Sequence, residues 1–80
     1  MQDRNGNLWI ATENGLNKYN GVKLRNYFHD ISDPHSLASN YVRDVFEDRD
    51  GNLFIGTYYG IQIYDPATDS FSEVSTFESG

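Results

Sequence analysis

Eighty residues with a net charge of −6 and no cysteine make one small domain at most, with neither a disulfide nor a thiolate-held metal to stiffen it. Nucleic acid is excluded as a partner, because phosphate binding needs clustered Lys and Arg and the six basic residues here are scattered. No apolar run nears the ~20 residues of a membrane span and no apolar leader opens the chain, so no membrane contact by this segment is expected.

In chain order, Met1 and Gln2 lead straight into DRNGNLWIAT at residues 3–12, and DRDGNLFIGT follows at residues 48–57. Extended to Asn20 and Asp65, the two copies keep one offset and share Asp, Arg, Gly, Asn, Leu, Ile, Thr, a second Gly and Tyr. Self-similarity at such a period points to a repeat architecture. Asn5-Gly6 and Asp50-Gly51 are dipeptides that two-residue type I′ hairpin turns prefer, since both central residues there need positive φ. Asp3 and Asp48 stand two residues earlier, placed to accept hydrogen bonds from turn amides. Strands are expected at 7–12, 16–19 and 23–28, with Leu24 and Tyr27 the apolar members of the third. Glu13-Asn14-Gly15 and Asn20-Gly21 are the breaks between them. A polar connection containing Pro34 follows, and Ser36–Asn40 offers room for a helical turn at most. Further strands are expected at 42–48, 52–57 and 61–65, with the break at Tyr58-Tyr59-Gly60. The Asp65–Ser70 turn is longer than Asn20-Gly21 and displaces a final strand around Phe71 by two residues.

The apolar runs Leu8-Trp9-Ile10 and Leu53-Phe54-Ile55 read as strands covered on both faces. Trp9, Phe54, Ile10 and Ile55 are therefore the expected core, and truncating Phe54 to Ala should cost roughly 3–5 kcal/mol if it is buried. A four-stranded antiparallel unit repeating every 40–50 residues is a β-propeller blade. The fold class expected is all-β, a fragment of a β-propeller holding about 1.75 four-stranded antiparallel blades. Residues 3–28 form a partial blade of three strands, 29–40 an inter-blade connection, 41–75 a second blade of four strands, and 76–80 a frayed tail. The rival is a seven-stranded meander folded into a sandwich or small barrel, which has no need of equivalent units. The strand before Asp48 has no counterpart before Asp3, as expected of a fragment that starts one strand into a repeat. Propellers close with about four to eight blades. The expected partners are thus further blades of a parent chain or other copies of this one.

The acidic run Asp44, Glu47, Asp48, Asp50 does not follow the calcium-loop order, because counting back from Gly51 puts Phe46 at the first ligand position. His29 and His35, beside Asp30 and Asp33, lack a third ligand or a nucleophile. No metal, cofactor or catalytic residue is expected. Tyr41, Tyr58 and Tyr59 lie at a strand start and in a turn, and the first copy has Glu13-Asn14 where the second has Tyr58-Tyr59. The turn does not require aromatics. These three are the candidate ligand-binding residues, with covering a neighbouring blade as the alternative use.

The pattern Asp48, Gly51, Asn52, Leu53, Phe54, Ile55, Gly56, Thr57, then Gly60, Ile61 and Tyr64, closely resembles the two-component regulator propeller repeat. In the first copy it runs from Asp3 through Gly6, Asn7, Trp9, Thr12 and Gly15 to Tyr19. Ser36-Leu37, Asn40-Tyr41-Val42 and Glu47-Asp48 resemble the family's approach to the next repeat. Ala11 stands for the usual Gly and Phe54 for the usual Trp. The resemblance implies the periplasmic sensor region of a hybrid two-component histidine kinase of the Bacteroidetes type. There, propellers respond to oligosaccharides and pass the signal to membrane-spanning and kinase modules that these residues do not include. The implied role is sensing and scaffolding, without catalysis. A stand-alone propeller module that self-assembles into a ring is the alternative. The third reading is a fragment of a propeller lyase, since streptogramin lyase-like propellers carry a similar Gly-Asn-Leu-Trp strand.

Overall fold

A computed structural model describes residues 1–74. Among these residues, seven strands form two antiparallel sheets and no helix forms. The first sheet holds β1 (Leu8–Thr12), β2 (Gly15–Tyr19) and β3 (Leu24–Tyr27); the second holds β4 (Val42–Glu47), β5 (Leu53–Thr57), β6 (Gly60–Asp65) and β7 (Ser70–Glu73). Each sheet is a simple meander in chain order. The expected tail at 76–80 lies outside the described residues.

The hairpin turns differ from the type I′ expectation. Gly6 and Gly51 have φ of 89° and 88°, but among the described residues only Asp69 is a non-glycine with positive φ, so Asn5 and Asp50 cannot sit in such a turn. Instead Gly6 N donates to Asp3 O at 3.0 Å and Asp3 N to Asn7 O at 2.9 Å, and Gly51 N and Asp48 N repeat both bonds. This is a turn with Asp at its first position and a left-handed Gly at its fourth, which makes a three-residue loop. The side chain of Asp3 then completes it: Oδ1 accepts from Asn5 N at 2.9 Å and Asn7 N at 3.0 Å, and Oδ2 from Asn7 Nδ2. Asp48 does the same with Asp50 and Asn52. The repeated Asp-x-x-Gly-Asn is thus a self-contained hydrogen-bonding unit. At the other end of each hairpin, Thr12 and Thr57 Oγ1 donate to Gly15 and Gly60 O and accept an amide from the intervening turn. Gly15 has φ 108°, and a Cβ there would come within 2.7 Å of Tyr27 O, so no other residue fits.

The sheets stack face to face around one core of Trp9, Leu16, Tyr27, Leu37, Val42, Val45, Leu53, Ile55, Tyr64 and Phe71. Register shows how the two copies share it. Trp9 pairs with Lys18 and Ala11 with Leu16, which puts these four on the inner face of the first sheet. In the second sheet the inner face carries Leu53, Ile55, Tyr64 and Phe71. Those residues are the repeat counterparts of Leu8, Ile10, Tyr19 and Leu24, which are exposed. Equivalent strands therefore turn opposite faces to the shared core, as successive propeller blades do and a sandwich of mirrored sheets does not. The chain is part of an all-β propeller: one four-stranded blade and three strands of its neighbour.

This geometry corrects the expected core. Trp9 and Ile55 are buried, whereas Ile10 is 43% exposed and Phe54 is half-buried against Phe46, with ring centroids 5.1 Å apart. Leu24 is exposed too, and its neighbour on the opposite face, Tyr27, carries the packing of β3. Each apolar run has two faces, but only one of them meets the other sheet.

Candidate functional site

Three features of the paired sheets bear on function, and they lie at different places. The first is a polar hub inside the sheet junction. The β6–β7 loop is two residues longer than the β2–β3 loop in the pairing register, and the extra length carries Asp69 across to the other sheet. Its Oδ1 accepts from Tyr27 and Tyr64 hydroxyls, each at 2.5 Å, and its Oδ2 from Arg25 Nε at 2.8 Å. Lys18 Nζ approaches Tyr64 Oη at 3.2 Å and lies over the rings of Trp9, Tyr27 and Tyr64. Burial opposes charge on Asp69, but bonds from the two tyrosines and from Arg25 outweigh it and hold its carboxyl below the usual range. Burial, then the bond to Asp69, pushes the Tyr64 phenol up. The groups satisfy one another, and the hub ties the two sheets together. Beside it a cleft of about 240 Å³, lined by Asp3, Asn7, Trp9, Lys18, Glu47 and Tyr64, opens between the sheets. A cleft of about 540 Å³ on the other side runs from Arg25 and Tyr27 to His35 and Phe71.

The second feature is a clasp between the two repeat turns. Arg4 Nη2 donates to Arg49 O at 2.8 Å and Asp48 O at 3.4 Å, while Arg4 N donates to Glu47 Oε1 at 3.1 Å. Its guanidinium lies against Gly51. One turn grips its own repeat counterpart. Asp3 closes this end: burial opposes its charge, but the bond from Trp9 Nε1 at 2.8 Å and those from Asn7 and Asn5 hold its carboxyl below the usual range.

The third feature is the aromatic group at the opposite end of the blade. Tyr41 precedes β4, and Tyr58 and Tyr59 form the β5–β6 turn. Tyr58 N donates to Tyr41 O at 3.0 Å, and the Tyr41–Tyr58 and Tyr58–Tyr59 ring centroids are 6.2 and 5.2 Å apart. Tyr58 and Tyr59 are 66% and 72% exposed. All three sequence candidates are thus brought together at one end of the blade, Tyr58 and Tyr59 in the hairpin turn and Tyr41 just ahead of β4.

The histidines do structural work in the connection. His29 Nδ1 lies 2.7 Å from Leu37 O, and His35 O accepts from Phe71 N. Gln62 is buried and holds the same connection, accepting from Ala38 N and donating to Ser36 O. Among the described residues no group of three or more His, Cys, Asp or Glu converges as a metal site. Asp69 and Lys18 escaped the sequence reading. Their signal was departure from the repeat: a loop two residues too long, and a Lys where the second copy has Ile63.

Residues 1–14 and 36–59 match the family model described as two component regulator propeller. Both segments are similar to the two-component regulator propeller repeat. The match spans the first Asp-x-x-Gly-Asn turn with β1, and then the last part of the connection from Ser36, β4, the second turn and β5. Tyr41, Tyr58 and Tyr59 fall inside a repeat segment, whereas Lys18 and Asp69 lie outside both. No curated protein matches the chain. The matched residues contain both turns and strands β1, β4 and β5, whereas the hub residues lie outside them.

Proposed function

We propose that this chain is part of the periplasmic sensor propeller of a two-component histidine kinase, with oligosaccharides as its ligands. On this reading residues 3–28 are part of one blade, 29–40 the connection and 41–75 the next blade, and the chain senses and scaffolds without catalysing a reaction. The observation that carries the ligand class is the exposed group Tyr41, Tyr58 and Tyr59. Aromatic side chains join a large apolar face to a polar tip, which suits the C–H faces and hydroxyl rims of sugar rings. Loops held by a rigid scaffold are also where binding residues concentrate. The first copy supports the same reading by contrast, because its turn forms equally well with Glu13-Asn14.

Titration calorimetry against a panel of plant and host oligosaccharides tests this. At least one should bind, and Tyr58→Ala combined with Tyr59→Ala should weaken it at least tenfold, consistent with about 1.4 kcal/mol, while circular dichroism stays unchanged. Undiminished binding by the double variant would remove the tyrosines from the site. A blank panel would remove the ligand class.

A further inference from the structure

Three Asn-Gly dipeptides stand at turns of the chain: Asn5-Gly6, Asn14-Gly15 and Asn20-Gly21. Asn before Gly is chemically labile, because with no Cβ in the way the Gly nitrogen can attack the Asn side-chain carbonyl. Attack needs that nitrogen free, and here the turns differ. Gly6 N donates to Asp3 O at 3.0 Å, and Gly15 N to Asn40 O at 2.6 Å. Gly15 is also buried, with Tyr27 O and the Phe28 ring crowding its Cα, so a new ring has no room to close there. Gly21 is exposed with open space around it, and among the described residues its N–H bonds to no acceptor.

The electrophile at this turn is set up as well. Asn20 Oδ1 accepts two backbone bonds, from Val22 N at 2.9 Å and Lys23 N at 2.8 Å, while Asn20 N donates to Lys23 O. Two N–H dipoles aimed at one oxygen stabilise negative charge that develops on it. Asn5 and Asn14, by contrast, are held through their backbone amides, which donate to Asp3 Oδ1 and Thr12 Oγ1. The second copy carries Asp65-Pro66 where the first has Asn20-Gly21. Pro has no N–H with which to attack. Asp65 Oδ1 accepts from Ala67 N at 2.9 Å, as Asn20 Oδ1 does from Val22 N. An acid at position 20 would therefore be the residue that the repeat already accommodates in this turn.

We propose that Asn20 is a site of spontaneous deamidation, the one among the three Asn-Gly dipeptides that the fold leaves reactive. Gly21 N gives its proton to water and bonds to Asn20 Cγ, closing a succinimide ring. The carbonyl π pair moves onto Oδ1, where the Val22 and Lys23 amides hold it. On collapse the Cγ–Nδ2 bond breaks, and Nδ2 takes a proton from water and leaves as ammonia. Water then opens the ring. Breaking the new Cγ–N bond gives aspartate, and breaking the original peptide bond gives isoaspartate. The net change is water in and ammonia out, and the turn gains a negative charge beside Lys23. The proposal rests on turn geometry and not on the sugar-sensing reading, so either can fail alone.

Incubation of the folded chain at physiological temperature and mildly alkaline pH, then tryptic cleavage and mass spectrometry, tests it. Cleavage puts Asn20 alone in the fragment 19–23, and Asn5 and Asn14 together in the fragment 5–18. Fragment 19–23 should pass from the amide mass to the acid mass at least about tenfold faster than fragment 5–18. In urea, where the protecting bonds are gone, the two should convert at comparable rates. Asn20→Asp should show no mass change in fragment 19–23 and should keep the parent's circular dichroism. Equal rates in the folded chain would overturn the proposal, as would a fragment 19–23 that converts only in urea. A difference that persists in urea overturns it too, since local sequence and not the fold would then select Asn20.

Discussion

Asp69 takes a left-handed backbone conformation, φ 53°, that costs a non-glycine residue stability. What offsets that strain is its set of bonds to Tyr27, Tyr64 and Arg25, which reach it from both sheets. Because those bonds favour the carboxylate, Asp69 ionises at lower pH in the folded chain than in the unfolded one. The sign follows from linkage. The stabilisation is complete above the unfolded value, about pH 4, and is lost as pH falls through the depressed folded value. Asp69→Asn should therefore be less stable than the parent at neutral pH. It should also lose less of its remaining stability on acidification, since Asp3, Asp30 and Asp48 still titrate in both proteins. Urea unfolding midpoints from about pH 6 down to about pH 2.5 check this: parallel curves would mean that the carboxylate contributes nothing specific. Nothing at the residue scale announced this role. An Asp in a loop reads as turn chemistry until the loop's extra length is known to reach across a sheet junction.

The strands were legible one by one because their punctuation is chemical. Asp3, Gly6, Asn7 and Thr12, and again Asp48, Gly51, Asn52 and Thr57, close hydrogen bonds within their own hairpins, so short-range sequence suffices to place them. The faces were not legible. Leu8-Trp9-Ile10 and Leu53-Phe54-Ile55 are apolar at every position, and the period-2 alternation that would orient a strand is missing from both. Only the opposing sheet decides that Trp9 turns inward from the first copy and Leu53 and Ile55 from the second. The energetic consequence is an inversion between equivalent residues. Ile55→Ala should cost about 2–5 kcal/mol, the range for a filled core position, whereas Ile10→Ala, at the same place in the repeat, should cost less than about 1.5 kcal/mol, since its side chain keeps much of its contact with water. Phe54→Ala belongs with the second group and not with the buried substitutions, because its main neighbour is the stacked ring of Phe46. Urea denaturation measures all three. Equal losses at Ile10 and Ile55 would mean that both faces are covered in solution.

At the scale of the whole molecule, the question is whether two blades that share one core unfold as one. Each sheet has its own hairpins, and local pairing alone would let them melt separately. Against that, the core draws Trp9, Leu16 and Tyr27 from the first sheet and Val45, Leu53, Ile55, Tyr64 and Phe71 from the second, with Leu37 of the connection buried among them. The Arg4 clasp and the Asp69 hub tie the same two sheets at separate points. In repeat proteins stability divides into intrinsic terms and neighbour interfaces, and a three-stranded sheet without its interface would expose most of its apolar face to water. The interface term should dominate here, making unfolding all-or-none. Trp9 is the chain's single tryptophan, on the first sheet with its ring against Tyr27 of that sheet and Tyr64 of the second, so its fluorescence reports the junction. Far-ultraviolet circular dichroism reports both sheets. The two signals should give coincident thermal transitions, and Ile55→Ala, a change confined to the second sheet, should move the Trp9 transition by the full shift seen in circular dichroism. Separate transitions, or a Trp9 signal indifferent to Ile55, would show that the blades fold independently and that the buried junction is an association between finished units.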